Sequence, residues 1–394
     1  MKTGTANLPL HGGQCPAWLF VHMKALCRAI VEVIFEEAGP QEVLQRLSNP
    51  YWFQALGCVV GFDWHSSGVT TTVCGALKEG LREIGPRAGL FFAGGKGKVS
   101  RQTPREIENW ADKYPVIEPE RLIYASKMAA KIDSAAVQDG YQLYHHCFVF
   151  TSRGDWTVIQ QGMNEAAKQA RRYHWFSPAV HSFTCEPHAA ICCDTSQETL
   201  NLVAQENQTL QTVATDLLRL PPEQTLRELR LLEEKAPALT LPRVHAIPRT
   251  AYLNRALQAA YDTQPGSFEE VLGIPGVGPG TLRALSLVAE VAFGVEASYR
   301  DPVRYAFAHG GKDGYPFPVN EKDIENSYQT LNRALRKARA GHKEQVDALR
   351  RLARWHSKAV QVIASPSAAV STEKACPPPA RVEPARLTQP RLFD

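Results

Sequence analysis

The stretch Tyr141–Gln161, YQLYHHCFVFTSRGDWTVIQQ, decides how the first half of the chain folds. Tyr141–Phe150 and Trp156–Gln161 are rich in aromatic and β-branched residues, and Thr151-Ser152-Arg153-Gly154-Asp155 between them has turn composition. Two such runs around a Gly-containing turn predict an antiparallel hairpin. Upstream, the short apolar runs Gly57–Phe62 and Gly89–Ala93 read as buried strands, with a helix over Val69–Ile84 between them. Helical patterns fill the stretch to Ala38, Gln41–Leu47, Tyr51–Leu56, Glu118–Gln138 and Met163–Arg172. Thr103-Pro104-Arg105-Glu106 reads as a helix start, Thr103 capping and Glu106 completing a capping box.

Residues 1–196 are therefore expected to form an α+β domain, a small mixed sheet with helices. From 197 to 360 helical periodicity runs almost throughout, which predicts an all-α domain. Residues 361–394, rich in Pro, Ala and Arg, read as a disordered tail.

Composition sets limits on function. The chain has 394 residues, 44% hydrophobic and 21% charged, a soluble globular profile with room for two or three domains. Net charge is only +4, but 331–360 holds nine Lys/Arg against Glu344 and Asp347, a local +7. The nine cysteines include no CxxC pair, so neither a disulfide framework nor a zinc ribbon is indicated. The opening MKTGTANLPLHGG lacks an apolar core, and Pro16–Phe35 is broken by His22, Lys24, Arg28 and Glu32. Secretion and membrane insertion are set aside, and a cytoplasmic protein is expected.

Leu272-Gly273-Ile274-Pro275-Gly276-Val277-Gly278-Pro279-Gly280-Thr281 lies between helical segments Ser267–Leu272 and Thr281–Phe293. It resembles the helix-hairpin-helix motif. Glycines let backbone approach a phosphate, and the following helix N-terminus aims N–H groups at it. Ile274 and Val277 would pack between the helices, with Gly276, Gly278, Gly280, Thr281 and Arg283 at the DNA. Contact of this kind reads phosphates and no bases. An ordinary Gly/Pro turn between helices would read the same way. In DNA glycosylases of the helix-hairpin-helix class, a catalytic Asp follows the hairpin. Here Ala292-Phe293-Gly294 is followed by Asp301, as a candidate acid or as a plain N-cap before Pro302, and no Lys nucleophile stands in the usual place.

Three polar clusters mark the first domain. Asp63-Trp64-His65 follows the first apolar run, and Asp63 and His65 could share a metal or a proton, or merely cap a helix. Gly94-Gly95-Lys96-Gly97-Lys98 with Ser100 and Arg101 fails the P-loop pattern, but Lys96, Lys98 and Arg101 suit phosphate contact. Asp133, Asp139, Tyr141, Tyr144, His145 and His146, with Gln160-Gln161 across the hairpin, form the third. The two histidines must point to opposite faces of a strand, so only one can share a site with its neighbours. Asp63, Asp139 and His146 could hold Mg²⁺ or Mn²⁺ for phosphodiester hydrolysis. Arg171-Arg172-Tyr173-His174-Trp175 interleaves cations with aromatics, a composition suited to nucleic acid.

The strings GFDWHSSG, AGGKGK, QDGYQLYHH, QQGM, ARRYHW and IPGVGPGT together resemble a prokaryotic family known as domain of unknown function 763, over roughly 4–360. The resemblance implies an α+β domain joined to a helical DNA-contacting domain and carries over no catalytic residue. The expected function is a nucleoid-associated DNA repair or replication protein. It is read as a metal-dependent nuclease, with a non-catalytic DNA-binding adaptor or a glycosylase as alternatives. The C-terminal Gln389-Pro390-Arg391-Leu392-Phe393 resembles the peptide that docks bacterial repair proteins on the DNA sliding clamp. Gln389 would orient the peptide while Leu392 and Phe393 fill an apolar pocket. Removal of 389–394 is expected to abolish pull-down by the clamp, and unchanged capture would sink that reading.

Overall fold

The Thr151–Asp155 turn closes the expected hairpin: Thr151 N–H donates to Asp155 O at 2.8 Å and Gly154 takes φ +87°. In this computed structural model, which describes residues 15–62, 68–115, 117–193, 195–235, 250–303, 321–338 and 341–363, the hairpin is the centre of a five-stranded antiparallel sheet. Its strands are β1 (Leu90–Lys96), β3 (Gln142–Thr151), β4 (Trp156–Asn164), β5 (Gln169–Phe176) and β6 (Ala190–Cys192), adjacent in that order. β2 (Val137–Gln138) pairs separately with β7 (Leu200–Asn201).

One face of the sheet carries helices α1 (Ala17–Ala38), α2 (Pro40–Ser48), α3 (Pro50–Val59) and α4 (Gly68–Gly80). Trp52, Phe53 and Leu56 of α3 and Ile30 of α1 bury against Val149 and Ile159 of the sheet. The late helices α12 (Glu321–Lys337) and α13 (His342–Ile363) add Leu331, Leu335, Leu352 and Trp355 to the same core. The opposite face carries α5 (Thr103–Lys113) and α6 (Pro119–Lys131), where Phe91 meets the Trp110 and Tyr114 rings at 5.3 and 5.2 Å.

Three local expectations are corrected. Gly57–Phe62 is not a strand but the last turn of α3 and its exit. Asn49 Oδ1 accepts from the N–H groups of Tyr51 and Trp52, Pro50 opens the helix, and all ten of its residues are buried. A helix apolar all round has no period to distinguish it from a buried strand. Met163–Arg172 is not a helix but the β4–β5 turn and its flanks, with Asn164 opposite Gln169 and Lys168 at φ +52°. Ala- and Lys-rich sequence favours helix locally, and pairing with β4 overrides it. Nor does the Thr103–Glu106 capping box form: the cap position is Gln102, and Thr103 Oγ1 donates to Ser100 O. Glu106 instead accepts from Gly94 N–H at 2.6 Å and from Lys78 Nζ at 2.7 Å.

The described residues fall into two compact units, 15–208 with 298–363, and 209–297. The second holds α7 (Gln208–Arg219), whose first residue belongs to the first unit, then α8 (Pro222–Lys235), α9 (Thr250–Thr263), α10 (Phe268–Gly273) and α11 (Pro279–Phe293). A single helical domain over 197–360 is thus not what forms, because the apolar sides of α12 and α13 find their partners on α1 and α3. The mixed α/β character holds. No helix among the described residues is long and apolar enough to cross a membrane.

Gly94 sits at φ +83°, and a Cβ there would stand 2.2 Å from His146 O. Gly94→Ala is expected to lower stability by roughly 2 kcal/mol or more, since both backbone conformation and space forbid a side chain. Urea unfolding reads it, and a wild-type midpoint would show that the β1–β3 approach is looser than described.

Candidate functional site

Strand alternation sorts the polar residues of the first unit into two buried sets, one on each face of the sheet. On the α5–α6 face, His146 pairs with Gln160 across β3 and β4. Gln160 Nε2 donates to Asp133 Oδ2 at 2.5 Å, so its Oε1 must accept from His146 Nδ1 at 2.8 Å. That leaves His146 Nε2 as acceptor for the Ser126 hydroxyl at 2.9 Å. Asp133 also accepts from Trp175 Nε1 at 3.0 Å and His188 Nε2 at 2.5 Å. A hydroxyl, an imidazole, an amide and a carboxylate thus form a hydrogen-bonded chain, through whose neutral amide no proton passes, and Ser126 is only 3% and His146 6% exposed. Burial lowers the His146 pKa, with Gln160 and Asp133 opposing.

Next to it lies a charged knot. Arg171, fully buried, donates from Nη1 to Asp139 at 3.0 Å and from both terminal nitrogens to Asp301 at 3.0 and 2.8 Å. Asp139 also accepts from Tyr173 Oη at 2.6 Å and Tyr141 N–H at 3.0 Å. Asp301 accepts from the N–H groups of Gln197 and Val303. Burial raises the Asp139 pKa, against the pull of Arg171 and Tyr173, and burial works against the Arg171 charge while Asp139 and Asp301 hold it protonated.

The other face carries the row Lys96–His145–Gln161–Arg172–Cys192, each residue directly opposite the next across five strands. A β-bulge between Leu143 and His145 leaves Tyr144 as the extra residue, and Gln161 donates to its phenol. Arg172, buried, reaches Gln54 Oε1 at 3.3 Å and Thr70 Oγ1 at 3.5 Å and lies 4.7 Å from the centre of the Phe53 ring. Burial lowers its pKa, with Cys192 and Cys74 opposing. His145 is 1% exposed and neither ring nitrogen has a hydrogen-bond partner. Burial pushes its pKa down to about 3, helped by His146 and Lys96.

The expected site residues therefore separate. Asp133 and His146 come together, linked by Gln160, while Asp139 belongs to the knot and His145 faces away. Asp63 and His65 lie outside the described residues, as do Gln389, Leu392 and Phe393. Among the described residues no group of three or more His, Cys, Asp or Glu could hold a metal ion, because the acids are already committed to protein donors. Arg171 and Arg172 are corrected from DNA contacts to buried groups of β5, since adjacent strand residues enter opposite cores. Asp301, offered as an alternative catalytic acid, is locked on Arg171. Lys96, Lys98 and Arg101 are exposed at the end of β1 and just beyond it. Gln160 joins the third cluster from across the hairpin, whereas Ser126 and His188 gave no sequence signal, for their roles depend on partners 20 and 55 residues away.

In the second unit, α10 and α11 are joined by a tight turn in which Val277 N–H donates to Ile274 O at 3.2 Å and Gly276 takes φ +88°. Ile274 and Val277 are 3% and 1% exposed, as their packing role requires. Thr281 is buried, so only its backbone could meet a ligand, and Arg283 is half-buried with its pKa lowered by burial.

A family model described as "Protein of unknown function (DUF763)" matches residues 4–319. No curated protein and no solved structure matches the chain.

Two outcomes follow from the buried charges. Asp301→Ala leaves Arg171 half-paired and is expected to cost about 3–5 kcal/mol in urea unfolding; a loss below 1 kcal/mol would mean the knot is open to water. His145, His146 and His174 all have pKa values lowered chiefly by burial. Unfolding below the ordinary histidine value near 6.5 therefore takes up protons, and the stability present above that pH is lost as pH falls. Between pH 6 and 5 His145, held at about 3, contributes a slope approaching about 1.4 kcal/mol per pH unit, and His146 and His174 add to it in the same direction. Unfolding midpoints at pH 7, 6 and 5 measure it, and a flat profile would contradict the burial of the three imidazoles.

Proposed function

The chain belongs to this family of unknown function, so its activity has to be read from its own residues, and we propose that it binds the sugar-phosphate backbone of DNA through the turn at 273–281. One observation carries this reading. Gly278 has φ −128° and Gly280 lies in the first turn of α11, conformations open to any residue, and a Cβ at either position would meet nothing within 4 Å. The protein itself has no need of glycine there. Open space in front of two such positions, at a helix start, is what close approach of an external backbone needs.

The surroundings agree with a phosphate ligand. The cap position of α11 is Gly278, which has no side chain, so no carboxylate or hydroxyl of the cap competes for the N–H groups of its first turn. Gly276 answers to the turn itself through its positive φ, and Pro275 and Pro279 stand exposed beside it. A non-catalytic binding or adaptor role fits best, because Asp133, Asp139, Asp301 and His146 are spent on internal bonds.

Anisotropy of labelled duplex and single-stranded DNA over a salt series tests it. The intact chain is expected to bind with affinity that falls steeply with salt. The pair Gly278→Val and Gly280→Val should leave the melting temperature unchanged and weaken binding tenfold or more. Salt-insensitive binding, or a variant that binds like the wild type, overturns the proposal.

A further inference from the structure

We propose that the buried row around His145 is a second site, separate from the turn at 273–281, and that it takes a phosphate group. The argument starts from an imidazole with no partner. In a native interior, buried polar groups are paired, and each exception asks for a reason. Both ring nitrogens of His145 lack a hydrogen bond, whereas its neighbour His146 has both satisfied. Its strand neighbour on this face, Cys147, sits in the apolar core, where an imidazole without a hydrogen bond is costly. A β-bulge beside it re-aims the strand at this point, as bulges next to sites do.

The chemistry around His145 selects the ligand. A neutral imidazole offers one donor and one acceptor. Lys96 stands opposite it on β1 and acts on it electrostatically, and beyond Gln161 on the other side comes Arg172. Two cations in one row repel a metal ion and favour an oxyanion. A singly protonated phosphate presents both an acceptor oxygen and an O–H, so it can satisfy both nitrogens while its charge meets Lys96. Exposed Lys96, Gly97 and Lys98 provide the way in, one cross-strand step from the imidazole. The phosphate could be free, or it could end a nucleic-acid strand.

Ring NMR of His145 and thermal melting of the full chain test the site, with inorganic phosphate and with one oligonucleotide prepared with and without a 5′-phosphate. Saturable shifts of the His145 ring and a raised melting temperature are expected with a phosphate probe. His145→Leu should melt at or above the wild-type temperature, since it removes an unpaired buried group, and should weaken phosphate binding tenfold or more. Lys96→Gln, at an exposed position, should weaken it also and serves if His145→Leu does not fold. Tighter binding of the phosphorylated oligonucleotide, lost in His145→Leu, assigns the ligand to strand ends; equal binding of both oligonucleotides beside a retained inorganic-phosphate response assigns it to free phosphate. No response of the wild type to any phosphate probe, or a response that survives both substitutions, overturns the proposal. Gly278→Val leaves this response untouched, so the two sites stand or fall separately.

Discussion

The Arg171 guanidinium, held with no solvent exposure between Asp139 and Asp301, is the constraint on which the first unit depends. A charge in that environment has to be paired by groups that reach it, whatever their distance along the chain. Asp139 comes from the turn before β3, and Asp301 lies 130 residues beyond Arg171. The tie runs on through Gln197 N–H to Asp301, Thr199 N–H to Tyr299 O and Asn201 N–H to Ser298 O. The stretches on either side of 209–297 are thereby laid together within the first unit. The chain is also brought back to the unit whose core α12 and α13 complete.

The two faces of the sheet treat their polar groups in opposite ways. On the α5–α6 face the polar groups are tied to one another: Asp133 takes three side chains, and the Ser126–His146–Gln160 hydrogen-bonded chain closes on it. Such a network specifies one packing and leaves little capacity for an outside ligand. The α1–α4 face leaves His145 unsatisfied and puts cations at Lys96 and Arg172. Alternation along one strand therefore gives two consecutive histidines opposite fates, one bound into the fold and one available to chemistry.

Glycines divide by the same test of internal need. Gly94 is required by its own structure, because a side chain would strike the carbonyl of His146. Gly276 is required by its turn. Gly278 and Gly280 are required by neither, since a Cβ at either would meet nothing within 4 Å.

Much of the fold was legible where local rules decide it. The hairpin, the amphipathic α1, the helix–turn–helix over 268–293 with Ile274 and Val277 inside, and the opposed directions of His145 and His146 follow from period and turn chemistry. The errors lie where a distant partner decides. GCVVGF became the end of a helix because α3 is buried on all sides, and 163–172 became strand because β4 stood ready to pair with it. Glu106 left its capping box for Lys78 and Gly94, and α12 and α13 joined the first unit and not the second. By itself, then, the sequence determined the kinds of local structure, the glycine-rich turn and the side each strand residue faces, since these depend on neighbours within a few residues. Which acid pairs with which base, and which histidine is left without a partner, was decided only by the tertiary structure, because a buried charge or imidazole is satisfied by whatever folding brings within about 3 Å of it.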